Sequence, residues 1–167
     1  MAADGTQNTP RRVSAGILLF RERDRHLEVL LGHPGGPFFA KKDEGSWSVL
    51  KGEAEQGEYL QAVALREFAE ETGQQPPEGT LLDLGAIRQG GGKTVVAWAL
   101  AGDLDVATAQ SNTFEIQWPP RSGRVREFPE IDRVEWFDLE TARTKILPAQ
   151  VPLLDRLEGA VRETPEV

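Results

Sequence analysis

Apolar positions along the chain fall into short blocks separated by turn residues, with one helical stripe near the middle and another at the end. Val13–Phe20 (VSAGILLF) is an apolar, partly β-branched run closed by the charged turn RERDR, and Leu27–Leu31 (LEVLL) follows as its expected hairpin partner. His33–Gly45 (HPGGPFFAKKDEG) is rich in Gly and Pro and then in charge, so it predicts a long loop ahead of a short strand at Ser46–Leu50. Helical periodicity runs from about Glu58 to Thr72 and stops at Gly73, a residue suited to a left-handed cap, and QQPPEG forbids continuation. Thr80–Gln89, Thr94–Ala101 and Thr113–Trp118 predict three more strands, and Val134–Phe137 a last short one. PPRSGRVREFPEID, between the last two, reads as an irregular loop. Leu139–Ile146 and Ala149–Arg162 predict helices, the second with Val151, Leu154, Leu157 and Val161 on one stripe. The order is mixed and lacks a regular βαβ repeat. The expected class is therefore α/β of the α+β kind, a mixed sheet with helices packed on it.

Composition adds bounds to that pattern. The chain has 167 residues, 39% of them hydrophobic, enough for one self-sufficient core. We expect one domain over residues 10–162, with tails at 1–9 and 163–167. There is no Cys, which removes disulfides, thiolate metal sites and cysteine nucleophiles, so any metal must sit on oxygen or imidazole. The net charge of −8 argues against broad nucleic-acid binding, which needs a basic footprint, and against an anionic membrane surface. Residues 1–12 are polar and hold Asp4, with no apolar core of a signal peptide, and no run approaches a membrane span. A cytoplasmic protein with a small-molecule partner is expected.

The acidity is concentrated. Between Gly52 and Gly73 the chain carries six carboxylates against one Arg. On an ideal helix Glu67, Glu70 and Glu71 fall within an arc of roughly 100°, opposite an apolar side holding Leu65, Phe68, Ala69 and Thr72. Like charges at these spacings repel. By periodicity alone the face is either a solvated acidic surface or a site for a hard divalent cation, since Mg²⁺ and Mn²⁺ favour carboxylate and carbonyl oxygens completed by water and phosphate.

The spacing of this segment resembles the Nudix box, GX5EX7REUXEEXGU with U an apolar residue. Gly52, Glu58, Arg66, Glu67, Phe68, Glu70, Glu71 and Gly73 fall in register, and Gln74 departs from the usual last apolar residue. SWSVLKGE resembles the family's approach to the box, with Leu50 where Pro is common, and EIDRVEWFDLETA resembles its closing segment. The resemblance implies a mixed sheet sandwiched between helices, and a metal-dependent hydrolase that cleaves a diphosphate linkage in nucleoside diphosphate derivatives. Metals suit that chemistry because a diphosphate is a polyanion whose charge must be neutralised before water attacks phosphorus.

The same resemblance implies roles residue by residue. Glu67, Glu70 and Glu71, with the Gly52 carbonyl, would hold Mg²⁺ or Mn²⁺. Arg66 would orient a neighbouring carboxylate such as Glu67 or Glu58. Glu58 reads equally as a metal ligand or as a charge favouring the helix start. Glu130, six residues ahead of Trp136, stands where relatives place a further acid that ligates metal or acts as general base, with Glu127 the fallback. By residue type, Lys51 is a candidate phosphate contact or a balance to the local charge, and Lys41, Lys42, Arg121, Arg124 and Arg126 are candidate phosphate contacts, although basic loop residues are more often simply solvated. Phe38, Phe39 and Trp118 are candidates for stacking on a base, or for packing. His26 and His33 have no partner spacing and read as ordinary.

Within the class, extended loops with basic residues favour nucleoside triphosphates or dinucleoside polyphosphates over ADP-ribose. Two other readings compete: a non-catalytic nucleotide sensor of the same fold, disfavoured by the intact carboxylate set, and RNA-end processing, disfavoured by the overall charge.

Overall fold

In the computed structural model, residues 12–163 are described. The tail expected at 1–9 lies outside the described residues, as does the tail expected at 163–167 apart from Glu163, which ends a helix. Among the described residues no helix is long and apolar enough to cross a membrane.

The first apolar run becomes the central strand. β1 (Arg12–Arg23) turns at Asp24 and Arg25 into β2 (His26–Pro34), and a later strand, β5 (Lys93–Ala101), lies parallel to β1 along nine paired residues. β4 (Leu82–Gln89) closes one edge against β5, and β8 (Ile131–Asp138) closes the other against β2, giving the order β4-β5-β1-β2-β8. β3 (Leu50–Glu53) pairs with the first half of β1, where Ala15 faces Gly52 and Gly16 faces Lys51.

Alternation along β1 divides the core in two, because successive side chains leave opposite faces of a strand. Ala15, Ile17 and Leu19 join Leu30, Leu50, Trp98 and Leu100 under α1 (Leu60–Thr72), which contributes Val63, Ala64 and Phe68. Leu18 joins Val29, Leu31, Val95 and Ala97 on the other side, covered by α2 (Leu139–Lys145) and α3 (Val151–Glu163) through Ala142, Leu153, Leu154 and Leu157. The mixed sheet is thus sandwiched between helices, as expected.

Beyond shifts of a few residues at element ends, such as α1 starting at Leu60, β8 at Ile131 and α3 at Val151, two details differ from expectation. The strand expected at Ser46–Leu50 begins only at Leu50, and the stretch before it makes single bridges, Gly32 with Ser48 and Trp47 with Ile146. The reason is a side chain: the buried Gln150 amide oxygen takes the Val49 N–H at 3.0 Å, and its NH₂ reaches Ser48 Oγ and Gln89. The second difference is the segment read as an irregular loop. Val125–Pro129 is a strand, β7, which pairs with β6 (Thr113–Gln117) in a two-stranded hairpin apart from the main sheet, with Phe128 opposite Phe114.

Candidate active site

The acidic face of α1 is organised from its first turn. Tyr59 precedes the helix without a side-chain cap, and Glu58 instead closes the turn by accepting the Glu55 N–H at 2.8 Å. The other Glu58 oxygen takes Arg66 Nη1 at 2.7 Å, and this guanidinium, then the Glu55 amide, hold the Glu58 carboxyl below its ordinary value. Arg66 also stands 3.7 Å from Glu67 and 4.0 Å from Glu70, so one cation bridges three acids. The helix ends where expected: Gly73 adopts φ 71°, the left-handed region that favours glycine, and its N–H bonds the Ala69 carbonyl at 2.8 Å.

β3 is pressed against this face. A Cβ at Gly52 would lie 2.0 Å from the Glu67 carboxyl carbon, so Glu67 fills space that only glycine leaves open. One residue earlier, the Lys51 N–H donates to Glu71 Oε2 at 3.1 Å. Burial, then repulsion from Glu70, raises the Glu67 carboxyl, with Arg66 partly opposing. Glu71 lies deeper: burial first, then Glu67, push it well above the ordinary carboxylate range, while Lys51 opposes. Burial lowers the Lys51 ammonium, against the pull of Glu71. Burial and like charge therefore both work against the ionised forms of Glu67 and Glu71 on this face.

Glu130 joins the site from the other side. It sits between β7 and β8, and its charge adds to the upward push on Glu71. Its backbone is a junction: the Glu130 carbonyl accepts the Gly35 N–H at 2.9 Å, its N–H donates to the Asn112 carbonyl at 2.8 Å, and Asn112 N–H donates to the Glu70 carbonyl at 2.9 Å. Glu127 stands instead on β7, opposite Glu115. Lys41 and Lys42 are exposed on the loop after β2, and Arg121, Arg124 and Arg126 are exposed on the β6–β7 hairpin. Arg126 and Glu127 were expected in irregular chain and are on a strand, with Arg124 just ahead of it. Arg126 faces Ile116 in register.

His26, opposite Arg23 at the β1–β2 turn, is as ordinary as expected. His33 is not. It is fully buried, with Nε2 2.6 Å from the Lys42 carbonyl and Nδ1 2.7 Å from Asp132 Oδ1, and so ties the long loop to β8. Its partner Asp132 is 99 positions away, which left no local signal in the sequence.

Among the described residues no three His, Cys, Asp or Glu side chains converge closely enough to cage a metal unaided. The donor chemistry still fits a hard divalent cation. The partly buried Glu67 and Glu71 carboxyls, raised first by burial and then by a neighbouring carboxylate, lie against the β3 backbone at Gly52 and Lys51, a set of oxygen donors that Mg²⁺ would complete with water and substrate oxygens. Gln74, the one departure within the motif, is tied by Nε2 to the Asp105 carbonyl at 2.9 Å, away from these acids.

Residues 10–157 match the family described as NUDIX domain. No protein of curated function matches the chain. Among solved structures, the Caenorhabditis elegans Ap4A hydrolase in a binary complex is similar at TM-score 0.63 and 21% identity, covering 92% of this chain and 99% of that one. The NUDIX domain of Shewanella oneidensis NrtR complexed with ADP ribose gives 0.64 and 18%, covering 96% and 94%. A mutT/nudix family protein from Listeria innocua gives 0.61 and 16%, covering 93% and 96%.

Proposed function

Because the chain belongs to the NUDIX domain family, whose enzymes are pyrophosphohydrolases, we propose that it uses Mg²⁺ or Mn²⁺ to hydrolyse a diphosphate linkage in a nucleoside diphosphate derivative. Nucleoside triphosphates or dinucleoside polyphosphates are the favoured substrates. The observation that carries the reading is the packing of β3 onto the acidic face of α1, which gathers the motif's Gly52, Glu67 and Glu71 at one place.

Glu67, Glu70 and Glu71, with the Gly52 carbonyl, would hold the cation. When bound, it supplies charge neutralisation for the diphosphate and Lewis-acid polarisation of phosphorus. Arg66 holds Glu58 and Glu67 in place and so fixes the direction of the Glu67 oxygens. Glu130, outside the helix and with a charge that bears on Glu71, would take the proton of an attacking water. Lys51 sets a positive charge beside Glu71 at the floor of the site. Lys42, Arg121 and Arg124, exposed on segments joined to Glu130 and Glu70 by backbone hydrogen bonds, would meet substrate phosphates.

The test is a substrate panel with Mg²⁺ or Mn²⁺ and product identification, since the phosphates released report the bond cut. ATP, Ap4A and ADP-ribose are its natural first members, the last two taken from what the similar structures are named for or bind. Glu71→Gln is expected to lose at least about 100-fold in kcat, the equivalent of several kcal/mol of transition-state stabilisation. Full activity in that variant overturns the assignment.

A further inference from the structure

The strand pairing beside Glu130 is interrupted at one place. β2 and β8 pair from Glu28 with Asp138 to His33 with Arg133, and then Pro34 takes Ile131, so Asp132 has no counterpart on β2. A bulge of this kind bends the strand and re-aims the side chains near it. The chain around it is closely held. A Cβ on Gly35 would stand 1.9 Å from the Pro129 carbonyl oxygen, so the loop after β2 lies directly on the residue ahead of Glu130. The Gly35 N–H donates to the Glu130 carbonyl at 2.9 Å. Ser111 Oγ accepts the Ile131 N–H and donates to the Ile131 carbonyl, each at 3.0 Å.

The bulged residue is pinned by an imidazole. His33 is fully buried and edge-on to Trp47, ring centroids 5.1 Å apart, with Nδ1 2.7 Å from Asp132 Oδ1 and Nε2 2.6 Å from the Lys42 carbonyl. One packed ring thus joins the loop to the segment that carries Glu130. The Glu130 side chain is exposed and, among the described residues, has no hydrogen bond or salt bridge of its own. Its direction therefore depends on the backbone beneath it, and that backbone is anchored two residues on, at Asp132. The other partner of the Asp132 carboxylate is the exposed Arg133 guanidinium, at 3.8 Å.

We propose that His33 and Asp132 are positioning residues for the hydrolysis: their bond fixes the β8 bulge, and with it the backbone from which the Glu130 carboxylate acts. The catalytic side of this assignment rests on the reading of Glu130 as proton acceptor given above. His33 and Asp132 act through Glu130 and do not touch the reacting atoms. A misplacement of about 1 Å in a positioned group costs roughly 100-fold in rate, so a loosened segment shows in kcat.

Asp132→Ala tests the bond in the full chain from its more exposed side, because removing the buried His33 ring would also disturb the core. With the nucleotide turned over best in the panel, kcat is expected to fall at least about tenfold with KM little changed. Asp132→Asn recovers most of the rate, since a side-chain amide can still bond Nδ1. Arg133→Ala leaves the imidazole bond in place and keeps the rate. In a Glu130→Gln background Asp132→Ala costs nothing further, because residues that act as one unit are not additive. A full additional loss in that background, no recovery in Asp132→Asn, or an equal loss in Arg133→Ala overturns the assignment. Amide hydrogen exchange separates this from the hydrolase reading. In Asp132→Ala the Gly35 and Glu130 N–H groups are expected to exchange about tenfold faster while those of α1 keep their rates. That result supports the clamp even if no substrate is cleaved, and unchanged exchange overturns it. Full activity in Glu130→Gln overturns the catalytic role, and the exchange rates still decide whether the clamp holds the segment.

Discussion

Gly52 and Glu67 compete for one space: a Cβ on Gly52 would stand 2.0 Å from the Glu67 carboxyl carbon and 2.2 Å from its Oε2. In Gly52→Ala the easier adjustment is the far end of the Glu67 side chain, because β3 is held to β1 by its backbone ladder. The fold should survive with Glu67 turned aside. A displacement of about 1 Å in a positioned group costs roughly 100-fold in rate. We expect a melting temperature close to that of the parent and a kcat lower by about that factor, read by thermal denaturation and by hydrolysis at saturating Mg²⁺.

Arg66, on α1, links Glu58 ahead of the helix, at 2.7 Å, to Glu67, at 3.7 Å. Arg66→Ala releases Glu67 without emptying the core, since the Arg66 side chain is 46% exposed. Loss of such an orienting partner typically weakens metal affinity or activity by about 10- to 100-fold. A titration of activity against Mg²⁺ should show the midpoint moving to higher concentration while the melting temperature stays nearly constant. Arg66→Lys should recover only part of the loss, because a single ammonium cannot reproduce the fork that spans Glu58, Glu67 and Glu70.

How much of this was readable beforehand depended on how local each signal was. The α1 carboxylates and the Gly73 cap lie within one helix, where spacing alone determines which residues share a face. The sandwich was expected from the resemblance to the Nudix family, and the structure supplies its basis in a central strand apolar on both sides, Ile17 and Leu18 facing opposite cores. Non-local partners were invisible. Gln150 displaces a strand bond at Val49 from 101 positions away, and His33 finds Asp132 across 99. β7 was missed because its own apolar alternation is slight: Val125 is exposed, and only Phe128 packs, against Phe114 on a partner strand. Glu130 was named from the resemblance, by its place six residues ahead of Trp136, but the bearing of its charge on Glu71 is a product of the tertiary fold.

The imidazole of His33 serves as a fastener. The Lys42 carbonyl can only accept, so Nε2 carries the hydrogen, and Nδ1 meets Asp132. His33→Ala removes both bonds from a fully buried position and leaves the Lys42 carbonyl without that partner, at a cost of about 1–3 kcal/mol. For a chain of this size the melting temperature should fall by roughly 2–10 °C. Hydrogen exchange should quicken in residues 36–44 more than in α1. Uniform exchange across both segments would show that His33 supports the core and not the loop.

Asp43 makes acid stability predictable in sign. Its carboxylate pairs with the Lys145 ammonium and accepts the Trp47 indole N–H at 2.8 Å, and these two partners, Lys145 first, hold its carboxyl below the ordinary Asp value. A carboxyl depressed in the folded state contributes stability above its unfolded value of about 3.9, and that contribution disappears as pH falls through the lower folded value. Asp43→Asn should therefore melt below the parent at pH 7. The gap should close progressively as the solution is acidified below about pH 4. A gap that widens on acidification would contradict the assignment.

Glu130 and Glu127 offer the sharpest discrimination within the proposed mechanism. They are three residues apart, yet Glu130 bears on Glu71 while Glu127 lies on the hairpin opposite Glu115. If Glu130 takes the proton from the attacking water, Glu130→Gln keeps the shape and removes the base. General-base catalysis is worth about 10²- to 10⁴-fold, so kcat should fall in that range with KM little changed. Glu127→Gln should leave the rate as it is. Equal loss in the two variants would assign the effect to the charge of the segment, and loss confined to Glu127 would move the base to the hairpin.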